Sequence, residues 1–207
     1  MEHTVNYMRR REEEFTDAVC LDGWDHRSLW GWEIDCFWVQ LWHNDNNQDQ
    51  PDLWITGTAR PLLQWPGDVA LAVMRKTQAD PLSIARALRI LPPPPVQPPL
   101  PAIEEGLAFA RHLAGTNAKP DDWATGQIDA YEWVLGRRSA CPGSGRPWRG
   151  GTPSSDDVAA EWYISHGMCN DPDMHSYRLA LGVNEALTAA VMAARGTYHD
   201  FTYRPKT

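Results

Sequence analysis

Hydrophobic and polar positions alternate most sharply between Trp30 and Trp42. Even positions carry Trp30, Trp32, Ile34, Cys36, Trp38, Gln40 and Trp42, while Gly31, Glu33 and Asp35 stand between them before Phe37, Val39 and Leu41. A period of two over Trp30–Cys36 predicts a half-buried strand, because successive strand side chains point to opposite faces. From Phe37 to Trp42 both faces are apolar, so this half is expected to be covered on both sides. His43–Pro51 is a polar tract rich in Asn and Asp, which tolerate left-handed backbone and bond locally to turns. Asp52–Thr58 then reads as the returning strand of a hairpin, with Ala59–Trp65 as a third strand interrupted at Pro61 and a weaker strand signal over Val19–Trp24. Before the sheet, residues 1–19 form a charged arm in which Arg9–Val19 reads as one helix, with Phe15 and Val19 as its apolar pair.

The period lengthens after Pro66-Gly67. Asp68 caps an expected helix through Thr77, with Val69, Ala72 and Val73 on one face. Asp80-Pro81 starts a second, since Asp caps well and Pro suits the first helical position. Residues 92–101 then form a proline linker between a module at 20–91 and a helical module at 102–207. Proline lacks the amide donor and fixes φ, so this run predicts a polyproline II spacer; its PxxP spacing also matches what SH3 and WW domains read. Four helices are expected beyond it: Ala102–Ala114, one from Asp121 or Asp122 to Leu135, one opened by Ser154 and stopped at Gly167, and one following Asp171 to Arg195. Gly126-Gln127-Ile128-Asp129-Ala130 aligns with Gly182-Val183-Asn184-Glu185-Ala186, a faint repeat suited to two helices in close approach. The fold class is therefore α+β: a Trp-rich antiparallel hairpin or sheet with a helix pair, then an all-helical module.

Composition sharpens this picture in two places. Seven of the 11 tryptophans lie between Trp24 and Trp65, more than a core of that size readily absorbs. The net charge is −8, and neither module carries the positive field that phosphate binding normally needs. No apolar run reaches transmembrane length and the charged N-terminus is unlike a secretory signal, so a cytoplasmic protein with free thiols is expected.

Candidate chemistry is sparse. Gly145, Gly150 and Thr152 fall at Walker A spacing, but Gly151 stands where the phosphate-binding lysine belongs and a helix precedes the loop where a strand should. Arg137, Arg138, Arg146 and Arg149 make this loop the most basic patch, a candidate anion site. His166, Cys169 and His175, with Cys141 near them, give only one short-spaced pair where a structural zinc usually shows two, so no metal and no cofactor is expected. Acidic pairs such as Glu104-Glu105, Asp121-Asp122 and Asp156-Asp157 sit at helix starts, where the helix dipole explains them. No GxSxG elbow or HExxH motif is present, and no catalytic residue is assigned. The helix pair 68–89 has helix-turn-helix dimensions but lacks polar side chains to read bases at the start of its second helix.

The stretch Gly31–Trp54 with its following helix pair, and the phrase Asp129-Ala130-Tyr131-Glu132-Trp133-Val134-Leu135-Gly136-Arg137-Arg138, resemble uncharacterised small proteins of actinobacteria and of their phages and plasmids. That resemblance implies no activity. The expectation is a non-enzymatic interaction protein, an accessory factor of a mobile element, binding a basic and partly apolar protein through Trp30, Trp32, Trp38, Trp42, Trp54, Asp35 and Asp45. The alternatives are a nucleic-acid-associated protein using the Arg loop or the helix pair, and an enzyme whose site carries no recognisable motif.

Overall fold

A computed structural model of the chain describes residues 14–56, 63–90, 100–116, 121–171 and 176–195. Four strands form an antiparallel meander in the order β1 (Phe15–Ala18), β2 (Leu29–Glu33), β3 (Cys36–Leu41), β4 (Leu53–Thr56). The alternating tract Trp30–Trp42 is thus two strands and not one. The chain reverses at Ile34-Asp35, whose φ angles of 49° and 63° are the left-handed values of a two-residue hairpin turn. Glu33 pairs with Cys36 across that turn, and β4 joins with Gln40 opposite Trp54. Phe15–Ala18 is strand where the sequence pattern suggested helix. Phe15 is drawn into the sheet by edge-on contacts with Trp30 and Phe37, at ring-centroid distances of 5.3 and 6.3 Å. Most of the third strand expected at Ala59–Trp65 lies outside the described residues; Leu63 accepts a hydrogen bond from the Phe37 amide at 2.7 Å.

Six helices follow among the described residues: α1 (Pro66–Thr77), α2 (Pro81–Ala87), α3 (Leu100–Thr116), α4 (Asp122–Val134), α5 (Ser155–Cys169) and α6 (Tyr177–Arg195). The chain is an α+β protein. Local chemistry sets most helix starts. Asp80 accepts from the Ser83 amide at 2.9 Å, Asp121 from the Trp123 amide at 3.1 Å, and Ser154 and Asp157 form a reciprocal capping box. α1 begins two residues earlier than its Asp68 signal, because Asp68 reaches back from inside the first turn to the amides of Gln64 and Trp65. α4 closes at Gly136, with φ of 70°.

The elements stack in sequence: sheet, then α1 and α2, then α5, then α6, α4 and α3. The inner sheet face buries Trp30, Phe37, Val39 and Leu41 against Val69, Val73, Ile84 and Leu88, and the same cluster takes in Ala160, Ile164 and Met168 of α5. A second cluster unites Ile103, Leu107, Trp133, Val158, Val183 and Leu187. α5 therefore serves both clusters, which explains why its apolar residues lie around its whole circumference and not on one stripe. The hydrophobic core does not stop at the proline run: elements on either side of residues 91–99, which are themselves outside the described residues, share one cluster.

Two close helix crossings depend on glycine. A Cβ on Gly126 would strike the Leu179 carbonyl and crowd the Val183 amide, while one on Gly182 would strike the Trp123 carbonyl and crowd the Gln127 amide. Each glycine thus meets the residues three before and one after its counterpart. This reciprocity is that of a local twofold axis relating α4 and α6 at their crossing. At the other crossing, Gly67 of α1 packs on Gly167 of α5, whose Cβ would lie 2.5 Å from the Gly67 carbonyl. Gly167 therefore does not stop α5, as its sequence context suggested; it lies inside the helix, where only a bare Cα fits.

Candidate interaction surface

The pleat sorts the tryptophans. Trp30 is fully buried, and Trp32 and Trp42 are 9% and 8% exposed, so these three expected contact residues belong to the core. Trp30 stacks on Phe37 at 5.7 Å and Trp32 meets the same ring edge-on at 4.7 Å. Trp42 sits under the Arg27 guanidinium and donates its indole N–H to the Asp49 carbonyl at 3.3 Å. What remains on the outer face is Trp38, Trp54 and the turn. Trp38 stands opposite Gly31, and its indole lies over the bare glycine Cα, shielding the sheet where a side chain is missing. Trp54 stands opposite Gln40 with 63% of its surface exposed, unusual for an aromatic side chain in a paired strand. Asp35 and Asp45 are exposed.

Charge is segregated with these residues. Residues 14–56 hold nine acids and a single base, Arg27, whereas the rest of the chain has 18 acids and 18 bases and sums to zero. Arg27 is committed internally. It donates to Asp25 at 3.0 Å and to the carbonyls of Gln48 and Asn46, and so pins the 43–52 loop. Asp52 ties the same loop, accepting from the His43 amide and the Asn46 side chain, both at 2.7 Å. The His43 bond is the main reason the Asp52 carboxyl is held below the usual aspartate range, and the Arg27 amide does the same for Asp25. The loop is thus a rigid acidic rim beside the outer sheet face. At the opposite end of the sheet an open depression of about 310 Å³ is lined by Glu14, Thr16, Glu33 and Trp38.

The basic loop has a different character. Arg137 bonds Glu104, Arg138 bonds Asp129 and Arg146 donates to the Gln78 carbonyl, while Arg149 stands exposed outside these bonds. The amides that an anion would need are also taken. Glu161, 2% exposed on α5, accepts from the amides of Gly143 and Ser144 at 3.0 and 2.9 Å and from the Ser144 hydroxyl at 2.6 Å. The loop folds its backbone donors around one of the protein's own carboxylates, in the manner of an anion nest already filled. Glu161 carries no sequence signal, since a lone Glu within a helical pattern reads as solvent-facing.

In the helix pair, Arg75 and Arg86 are paired with Asp171 and Asp156. A cavity of about 40 Å³ beside Arg75, Asp68 and Asn170 has room for a water or two. His166 lies between the rings of Trp65 and Trp162, at 5.3 and 6.3 Å. Burial pushes the thiols of Cys141 and Cys169 up to about 12, which keeps them protonated at neutral pH and poor as metal ligands. His175 lies outside the described residues, and among the described residues no three metal-binding side chains converge. No described helix is long and apolar enough to cross a membrane. Comparison with protein-family models, curated proteins and solved structures finds no match to this chain.

Proposed function

We propose that the chain is a non-enzymatic interaction protein that binds a basic, partly apolar protein partner through the outer face of its sheet. The observation that carries this reading is the coincidence of Trp54, 63% exposed on the edge strand β4 of the outer face, with a segment that holds the entire net charge of the molecule. An aromatic anchor framed by uncompensated carboxylates suits a partner that brings an apolar contact and Lys or Arg around it. Nucleic acid suits this face poorly, because phosphates would meet like charge, and the Arg loop and helix pair have most of their guanidiniums engaged within the chain. We take the compartment to be the reducing cytoplasm, in keeping with four free thiols, and the resemblance to phage and plasmid proteins accords with an accessory role in a mobile element.

The test is affinity purification from the native host with the wild-type chain and a Trp54→Ser variant. A partner retained by the wild type, released by raised salt and lost with Trp54→Ser supports the reading. Equal retention by both chains would overturn it.

A further inference from the structure

The β2–β3 turn is built from residues ill suited to it. A two-residue reversal needs left-handed backbone at both positions, which Gly, Asn and Asp supply with least cost. Asp35 meets that need. Ile34, at φ of 49°, does not, because its branched Cβ crowds the backbone there. Its side chain gains nothing in return from the chain itself: at 76% exposed it is the most exposed large apolar side chain among the described residues. Turn formation would favour another residue, and burial does not reward this one. On either side stand exposed Glu33 and Asp35, and Arg27 is bound to the loop at the far end of the sheet.

Resting on the reading above of the sheet as a protein-binding face, we infer that this turn is its anchor: Ile34 enters an apolar pocket of the partner, and cationic side chains on the pocket rim meet Glu33 and Asp35. The partner is accordingly a protein with a hydrophobic recess bordered by Lys or Arg. Ile34 projects beyond the sheet end, and Trp38 and Trp54 extend the contact along the outer face. A projecting aliphatic knob ringed by charge of one sign is the arrangement that excludes water around a central contact and fixes orientation by the rim.

Two measurements on the full chain test this. First, Ile34→Gly and Ile34→Asn are compared with wild type for melting temperature and for retention of the partner. Both variants should melt at or above the wild-type temperature and bind at least tenfold more weakly. A lower melting temperature would mean that the chain itself uses Ile34, and would overturn the proposal. Second, photoreactive benzoylphenylalanine in place of Ile34 should crosslink to a partner segment that combines aliphatic or aromatic residues with flanking Lys or Arg. The same probe in place of Phe109, exposed on α3, is the control. Crosslinks no stronger than at Phe109, or crosslinks to an acidic segment, would also overturn it. If Trp54→Ser releases the partner and the Ile34 variants do not, the turn proposal fails and the sheet-face reading stands; if none releases it, both fail.

Discussion

Left-handed backbone costs a residue other than glycine about 1–2 kcal/mol, and a β-branched side chain stands at the unfavourable end of that range. Ile34→Gly should therefore gain about 1 kcal/mol of stability, part of the relief being offset by the greater freedom of glycine in the unfolded chain, and urea unfolding would read it as a raised midpoint. The opposite sign is expected at the reciprocal glycines. A methyl group on Gly182 meets the Trp123 carbonyl, which is backbone and cannot rotate away. Gly182→Ala should lose about 3 kcal/mol, in the range of overpacked cores, and Gly126→Ala a similar amount. The double variant should lose less than the sum, since one helix separation relieves both clashes; strict additivity would show that the two sites do not share a contact. At this scale the sequence was readable in part. The period-two alternation named Trp30 and Trp32 as inward and Glu33 and Asp35 as outward, yet it did not reveal the turn at Ile34-Asp35: the reversal moves the inward face from even positions to the odd Phe37, Val39 and Leu41, a shift hidden because Trp38 keeps an apolar residue on the even side and no glycine or asparagine marks the turn. The sequence also placed Trp30, Trp32 and Trp42 among surface candidates, because composition counts tryptophans without saying which face each one takes.

At the level of elements, α5 is the helix that joins α1 and α2 to α6, and Glu161 is its most demanding residue. Removing it in Glu161→Ala strands the Gly143 and Ser144 amides and should cost about 3 kcal/mol, each unsatisfied donor contributing about 1–3 kcal/mol before water reaches it; faster proteolysis between Arg146 and Arg149 would report the released loop. Glu161→Gln tests the charge alone. Burial holds the Glu161 carboxyl above the ordinary glutamate value of 4.5, so the folded chain binds more protons than the unfolded one across that interval. Stability then falls as pH rises from 4.5 through the raised value. The glutamine variant lacks this slope, and its unfolding free energy should gain on that of the wild type as pH is raised; parallel pH profiles would refute the burial argument. Helix starts were legible because capping is local: Asp80-Pro81, Asp121 and Ser154 each announced a real start. Gly167 misled, since a glycine late in a helical pattern looks like a stop until the neighbouring Gly67 backbone is in view. The close approach of Gly126 and Gly182 was the one tertiary contact the sequence hinted at, through its faint repeat.

For the molecule as a whole, the shared cluster of sheet, α1, α2 and α5 decides how the chain comes apart. Ile164 and Met168 complete a core that begins at Val19, so residues 1–91 and 102–207 expressed separately should each lack a cooperative unfolding transition and recover one on mixing. Two independent transitions would contradict the single core. The proline run is conspicuous in the sequence, whereas a packed boundary between its flanks depends on long-range complementarity that no local pattern records. Because Asp25 and Asp52 titrate below the usual 3.8 in the fold, the stability they contribute by pinning the 43–52 loop is present above that pH and is lost as pH falls further, and the same holds for Asp80 and Asp121 at their helix starts.

The placement of charge has a consequence for how the molecule moves before it touches anything. Among the described residues, 14–56 hold nine acids and one base, a net −8, while the helices stacked behind them hold 13 acids and 11 bases, a net −2, so this part of the molecule is an electric dipole whose negative pole is the sheet that carries Trp54. In the field of a cationic body it turns before contact, so that collisions become sheet-first and the search over orientations is shortened. Association would then be fast at low ionic strength and slow steeply as salt shortens the reach of that field to about 10 Å at 0.1 M, while the lifetime of the complex, set by the apolar contact, would change far less.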